Sequence, residues 1–313
     1  MFRSRLNNIL LAGLLLGAAL AVTGAARAGD DAGSGETYIA EKNGARIVLS
    51  GVRHGTGMAA PSPAVRQYFE RATVLMTEFD YTDQRRSAMS LMQFRRGEAL
   101  AANKFLNEQE LTLIHSAWTK KLGGKASMSA QTLGELHACG LGLYLLPSSP
   151  GSAPVGGPPM SSSWEKIFLA EAKQGSKPIV ELEPRGAMRI CAEMPREQVR
   201  DFVVGAAMLG LDEQARETYL RYSALSGPSF AGGDGAAGYA QTLQALASRN
   251  EYRSAFLAYM AIRNQTMAEV LAQQHAMLPS SGLGFAMAGS LHLHGEHGIL
   301  ALLREKGFVI TRL

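Results

Sequence analysis

Short strand-like segments lie near both ends of the chain and once in its middle, whereas most of the sequence between them has helical periodicity. The apolar segments that read as strands are 38–41, 45–50, 74–76, 177–182, 283–288 and 308–313. Asn43-Gly44 separates the first two and is a dipeptide that favours a tight β-hairpin turn. We therefore predict an α/β fold with a mixed central sheet, formed by N- and C-terminal segments and carrying a large helical insertion.

The region after the hairpin has the order strand, helix, strand. Ser62 is a suitable N-cap, and Pro63 suits the first position of a helix. The next strand, 74–76, stops before Glu78. This order is typical of parallel strands joined by a crossover helix, so we expect 45–50 and 74–76 to form a parallel pair.

The middle of the chain is interpreted as helices separated by two long loops. Asn107 and Glu110 have the spacing of a capping box. The segments 148–163 and 226–238 are rich in glycine, proline or serine, as linkers and lids often are. The predicted helical regions are 81–146, 166–174, 196–209, 213–225, 240–277 and 296–306.

The first 28 residues have the pattern of a secretory signal peptide. Arg3 and Arg5 precede the apolar run 9–22, and Ala26-Arg27-Ala28 matches a cleavage site. The alternative is an uncleaved anchor, although the run is short for a membrane span. We expect cleavage after Ala28 and export to the periplasm or the extracellular space.

The mature chain is expected to be nearly neutral. The whole chain has 31 basic and 27 acidic residues, and cleavage would remove three arginines. Without a basic surface we expect no nucleic-acid partner, and no other apolar run is long enough for a stable membrane span. Residues 29–36 read as a flexible N-terminus and 37–313 as a single domain.

The chain contains two cysteines, Cys139 and Cys191. Export would expose both to oxidising conditions, which permit a disulfide. Spacing alone cannot decide between a disulfide and two buried thiols.

Four residues with metal-binding side chains stand at the predicted carboxyl ends of strands: His54, Glu78, Glu183 and His292. In open α/β sheets ligands bind at this edge. Two imidazoles and two carboxylates together could hold a divalent metal ion. The alternative for each residue alone is a polar side chain that closes a strand.

Arg263 shares an apolar helical stripe with Met267. A buried arginine requires a carboxylate or an anionic ligand, and Glu78 or Glu183 could supply it. The alternative is a side chain that reaches solvent past the stripe. Asn264, the next residue, could simply cap local backbone groups.

The segment His292 to His297 contains three histidines. If it is extended, His292 and His294 share one face. We expect His292 to be functional, whereas His294 and His297 are expected to be solvated.

Five motifs, in this order, resemble those of the TraB/GumN family. They are GVRH at 51–54, LMTEFD at 75–80, KPIVELE at 177–183, RNQTMA at 263–268 and GSLHLHGEHG at 289–298. Arg53 replaces the small or apolar residue usual before the first histidine. Glu165 stands where an acidic residue is expected, with Ser163 in place of a glycine.

The resemblance implies an α/β core shared with the Tiki proteases and, more distantly, with erythromycin-esterase-like and haem-binding proteins. Tiki proteins are metal-dependent proteases that use the two GxxH histidines and acidic residues. The resemblance therefore favours a functional site over a purely structural role for these residues.

We therefore expect an exported metal-dependent hydrolase, most simply a peptidase with a peptide or protein substrate. A divalent ion (Mn, Co or Zn) would bind among the four edge residues, and one carboxylate could act as general base. Arg263, with Asn264 beside it, would orient a carboxylate or a developing oxyanion. The alternatives are a non-catalytic binder of a peptide or signalling molecule and, third, a haem carrier.

Overall fold

The computed structural model describes residues 36–52, 61–78, 100–124, 128–147, 163–184, 193–217 and 250–313, with the single positions 236 and 240. All of them belong to one compact unit, Gly33–Leu313. Several predictions concern residues outside these ranges: the signal peptide, His54 with Arg53, Cys191, and almost all of both long loops.

The described chain alternates strands and helices at its ends and is helical in its middle. The strands are β1 (Thr37–Lys42), β2 (Ala45–Val52), β3 (Val74–Thr77), β4 (Ile179–Glu181), β5 (Leu283–Gly289) and β6 (Val309–Arg312). The helices are α1 (Pro63–Arg71), α2 (Glu108–Lys121), α3 (Ala130–Gly134), α4 (Ala138–Leu145), α5 (Ser163–Gln174), α6 (Arg196–Leu211), α7 (Asn250–Met277), α8 (Ser290–Leu293) and α9 (Ile299–Glu305). None of the helices in the described ranges has the length and apolar character needed to cross a membrane.

The strands form one six-stranded mixed sheet in the order β4-β3-β5-β2-β1-β6. β2, β5, β3 and β4 are parallel, whereas β1 is antiparallel to both β2 and β6. The sheet joins segments from both ends of the chain, which confirms the predicted fold class. We call the edge where the parallel strands end the carboxyl edge; β1 begins there.

Local turn and cap chemistry produces the first elements. Asn43 and Gly44 have positive φ angles of 51° and 82°, as the predicted tight hairpin requires. The Ser62 hydroxyl accepts a hydrogen bond from the main-chain N–H of Val65 at 3.3 Å, which caps α1. The predicted hairpin and the predicted start of α1 are both confirmed.

The expected direct pairing of β2 with β3 is wrong, because β5 lies between them. Both strands pair with β5 in parallel, and every residue of β5 is buried. A strand that is apolar along its whole length is suited to the centre of a parallel sheet, covered on both faces. The crossover from β2 to β3 therefore leaves room for a strand from near the C-terminus.

Helices cover both faces of the sheet. Val74 and Met76 of β3 pack with α7 and α9, whereas Leu75 packs with α1 and α5 on the other face. A separate helical core contains α2, α4 and α6 together with the first half of α7. The side chain of Glu78 follows the alternation of β3 and lies on the face covered by α7.

Cys139 is buried in α4 and is disulfide-bonded. Of the two alternatives that the sequence left open, a disulfide and a buried thiol, the structure has the disulfide at Cys139. Cys191, the other cysteine of the chain, lies outside the described residues.

Candidate functional site

The candidate site lies at the carboxyl edge of the sheet. Glu78 directly follows β3, Glu183 follows β4 by two residues, and His292 is in α8, directly after β5. Because these strands are parallel, they end at the same edge. His54 follows β2 in sequence by two residues, but the described part of β2 ends at Val52.

Main-chain hydrogen bonds continue beyond β3 and β4 and bring the two glutamates side by side. The N–H of Leu182 donates to the carbonyl of Thr77 at 2.7 Å. The N–H of Glu183 donates to the carbonyl of Glu78 at 3.0 Å. The two carboxyl groups therefore start from neighbouring, fixed backbone positions.

α7 carries polar residues between two apolar patches. Tyr259 packs into the helical core, and Met267 packs under the sheet. Arg263 and Asn264 lie between these contacts, so the packing of α7 on both sides holds them over the carboxyl edge.

Arg263 bridges the two glutamates. Its Nε donates to Oε1 of Glu183 at 2.5 Å, and its Nη2 donates to Oε2 of Glu78 at 3.1 Å. Burial opposes the charge of Arg263, but attraction to Glu183, Tyr259 and Glu78 raises its pKa well above the usual value. The expectation that a glutamate pairs with Arg263 is confirmed, and both glutamates do so.

The side chains of Glu78, Arg263 and Glu183 are almost completely excluded from solvent. The side chains of Glu78 and Glu183 are 2% and 0% exposed, and that of Arg263 is 11% exposed. Buried charges are tolerated only when paired, so the three residues depend on one another.

Glu78 also contacts the segment that carries His292. Its Oε1 accepts a hydrogen bond from the main-chain N–H of Gly289 at 2.5 Å. Nε2 of His292 lies 4.0 Å from the same oxygen. Glu78 thus connects β3, α7 and the start of α8 through its two carboxylate oxygens.

Asn264 fixes the orientation of the His292 ring. Its Nδ2 donates to the carbonyl of His297 at 2.8 Å, so its Oδ1 is the acceptor that faces Nδ1 of His292 at 2.6 Å. Nδ1 of His292 therefore carries the proton, and in the neutral ring Nε2 carries the unshared electron pair. The alternative in which Asn264 caps local backbone groups does not apply, because the carbonyl that it binds belongs to His297, far away in sequence.

Two expectations about the histidine segment are wrong. Residues 290–293 form the helical turn α8 and not an extended segment. His294 is buried, with Nε2 2.8 Å from Oε2 of Glu36, because the turn directs the chain back under the start of β1. His297 is exposed as expected, in the turn that precedes α9.

Gly51, the first residue of the GVRH motif, lets α8 pack closely against β2. A Cβ atom at this position would lie 2.9 Å from both Leu293 Cδ1 and Ser290 Oγ. Only glycine, which has no side chain, therefore fits at position 51, where α8 crosses the end of β2.

The TraB/PrgY/gumN family model matches residues 37–312, nearly the whole of the chain. This chain belongs to the TraB/PrgY/gumN family. A search of curated proteins and a search of solved structures each found no match.

The donor atoms of this TraB/PrgY/gumN protein fit a divalent cation in part. Nε2 of His292 and Oε1 of Glu78 are an imidazole nitrogen and a carboxylate oxygen on adjacent segments. Glu183 is engaged by Arg263. Within the residues that the structure describes, no group of three His, Cys, Asp or Glu side chains could hold a metal, so a site needs a further ligand.

Sequence reasoning missed two contributors to this site in the TraB/PrgY/gumN chain. Glu36 lies just before the first strand, where no periodic pattern marks it as buried. Gly289 acts through its main-chain N–H, which has no signature in the side-chain pattern. Glu165, singled out from the family pattern, is fully buried in the first turn of α5.

Proposed function

We propose that this protein is an exported, metal-dependent hydrolase that acts on peptides. The observation that supports this most is one connected set of buried polar side chains at the carboxyl edge. It runs from Asn264 through His292 and Glu78 to Arg263 and Glu183. A sheet needs no such set for stability, because apolar residues of similar size would pack there at lower cost.

In this proposal His292 and Glu78 hold the metal, and His54 supplies the further ligand. Asn264 keeps the proton on Nδ1 of His292, so that the unshared electron pair of the neutral ring lies on Nε2, the atom that would bind the ion. A divalent ion held there would polarise the scissile carbonyl and activate water. Glu183 is better suited to hold Arg263 than to bind the metal.

Arg263 stabilises negative charge on the substrate in this proposal. Its Nε and Nη2 are occupied by the two glutamates. Nη1 donates no hydrogen bond to any described residue, so it can bind a substrate carboxylate or a developing oxyanion. Glu183, which is not a metal ligand in this proposal, can accept the proton of the attacking water.

Metal analysis of the purified protein tests the proposal. We expect about one equivalent of Mn, Co or Zn, removable by chelator, together with hydrolysis of a mixed peptide library that stops on chelation. His54→Ala and His292→Ala should lose both. His297→Ala is the matched control, because His297 is exposed in the same segment as His292.

The absence of bound metal and of chelator-sensitive hydrolysis would contradict the proposal. Peptide binding that chelator leaves unchanged would instead identify a non-catalytic binder. A Soret band on titration with haem would identify a haem carrier.

A further inference from the structure

A second buried contact, between a carboxyl group and an imidazole ring, lies at the carboxyl edge, beside the candidate site. Glu36 immediately precedes β1, His294 immediately follows α8, and both are buried. Oε2 of Glu36 lies 2.8 Å from Nε2 of His294, although the ring nitrogen is not aligned for a hydrogen bond. The Tyr38 hydroxyl donates to the same carboxylate oxygen at 2.5 Å.

Glu36 is also bonded to β2 through its main chain. Its carbonyl accepts a hydrogen bond from the N–H of Gly51 at 2.7 Å. Gly51 is the residue against which Ser290 and Leu293 of α8 pack. One residue therefore contacts the end of β2 with its backbone and the end of α8 with its side chain.

The chain after His294 is tightly constrained. Gly295 has a φ of 88°, and a Cβ atom at Gly298 would lie 2.3 Å from the carbonyl oxygen of His294. His294 therefore cannot move without shifting the neighbouring turn. Because His292 lies only two residues earlier, such a shift would also move its ring.

We propose that Glu36 and His294 are positioning residues that hold α8 so that Nε2 of His292 points at Glu78. Two supports then fix His292, since Asn264 holds the ring from α7 and Glu36 holds the end of α8 from β1. A buried carboxylate and imidazole cost more than an apolar pair, so placement of α8 accounts for them better than stability does. The catalytic part of this inference rests on the proposed function, whereas the ring orientation can be measured without it.

The test uses the purified protein and the nitrogen signals of its histidine rings. Long-range ¹H–¹⁵N spectra report which ring nitrogen carries the proton, and the His292 signals are assigned by their loss in His292→Gln. We expect the Nδ1-protonated form in the wild type. In Glu36→Leu the His292 signals should shift to a mixture of forms, and Co²⁺ affinity should fall about tenfold or more.

Three further variants make the test specific. Glu36→Gln keeps an acceptor for Tyr38 and should retain most of the wild-type signal. Glu41→Gln changes an exposed carboxylate of β1 and should change nothing. If Glu36→Leu fails to fold, His294→Leu tests the same contact from the other side.

Unchanged His292 signals in a folded Glu36→Leu or His294→Leu protein would overturn the inference. If the wild type takes up no Co²⁺, the proposed function fails, but the ring signals still decide whether Glu36 positions His292. The two failures are therefore distinguishable.

Discussion

At the scale of single residues, the site depends on polar side chains that pair with and orient one another. Arg263 could be recognised from the sequence because a charged residue on an apolar stripe needs a buried partner. His294 was predicted to be solvated because its partner, Glu36, is far away in sequence and has no local signal. Pairing over long sequence distances is set by the packing of α8 on β2, which a periodic pattern does not encode.

Removal of the Arg263 side chain should strongly destabilise the fold. Arg263→Met leaves Glu78 and Glu183 as two buried, adjacent carboxylates, and we expect the free energy of unfolding to fall by about 3–5 kcal/mol. Urea denaturation at neutral pH measures this. The double variant Arg263→Met/Glu183→Gln should recover part of the loss, because it removes one of the two buried carboxylates that Arg263 bridges.

Arg304→Met is the control for this prediction, because Arg304 is exposed on α9. It should change the free energy of unfolding by less than about 0.5 kcal/mol. An equally small effect of Arg263→Met would contradict the view that the two glutamates depend on its charge.

At the scale of elements, local chemistry predicted where helices and strands begin, but not how they are arranged. The hairpin at Asn43-Gly44, the cap at Ser62 and the capping box of Asn107 with Glu110 all occur as the sequence indicates. The position of β5 between β2 and β3 did not follow from the sequence. Strand order depends on which apolar surfaces are covered by helices, and that is a property of the whole assembly.

The contact of α2 with the end of α4 makes stability depend on pH. Nζ of Lys121 donates to the main-chain oxygens of Tyr144 and Leu146 at the end of α4. Burial lowers the pKa of Lys121 to about 8, below its usual value near 10.5. Between these values the unfolded chain binds more protons than the folded one, so this group makes stability rise with pH.

We therefore predict that the difference in free energy of unfolding between the wild type and Lys121→Met changes with pH. From pH 7.5 to 10.5, the free energy of unfolding of the wild type should rise by about 3 kcal/mol relative to the variant. Denaturation at several pH values measures this difference. Lys120→Met, at an exposed neighbouring position, should show no such change, and a flat difference for Lys121→Met would contradict the prediction.

At the scale of the whole molecule, the sheet is closed by segments from the two ends of the chain. β2 near the N-terminus pairs with β5 near the C-terminus, and β6 pairs with β1. The sequence predicted this arrangement because strand-like runs occur at both ends, and it predicted that Glu78, Glu183 and His292 meet at one edge. That His54 lies beside these three residues stays a prediction, because His54 is outside the described residues.

The disulfide of Cys139 connects the fold with the proposed export of the chain. We predict Cys191 as its partner, since it is the only other cysteine in the sequence. Closure of this loop should stabilise the fold by about 4 kcal/mol in the chain-entropy view. Peptide mapping without reductant identifies the pair, and denaturation of Cys139→Ser measures the loss.

Free-thiol content then tests export and the disulfide together. Bacterial cells that produce the full chain should yield protein with no free thiol, because the proposed signal peptide would direct it to an oxidising compartment. A chain without residues 1–28 should remain in the cytoplasm and keep both thiols reduced. If the two proteins have the same thiol content, residues 1–28 do not determine where the disulfide forms, and the proposal of export loses its support.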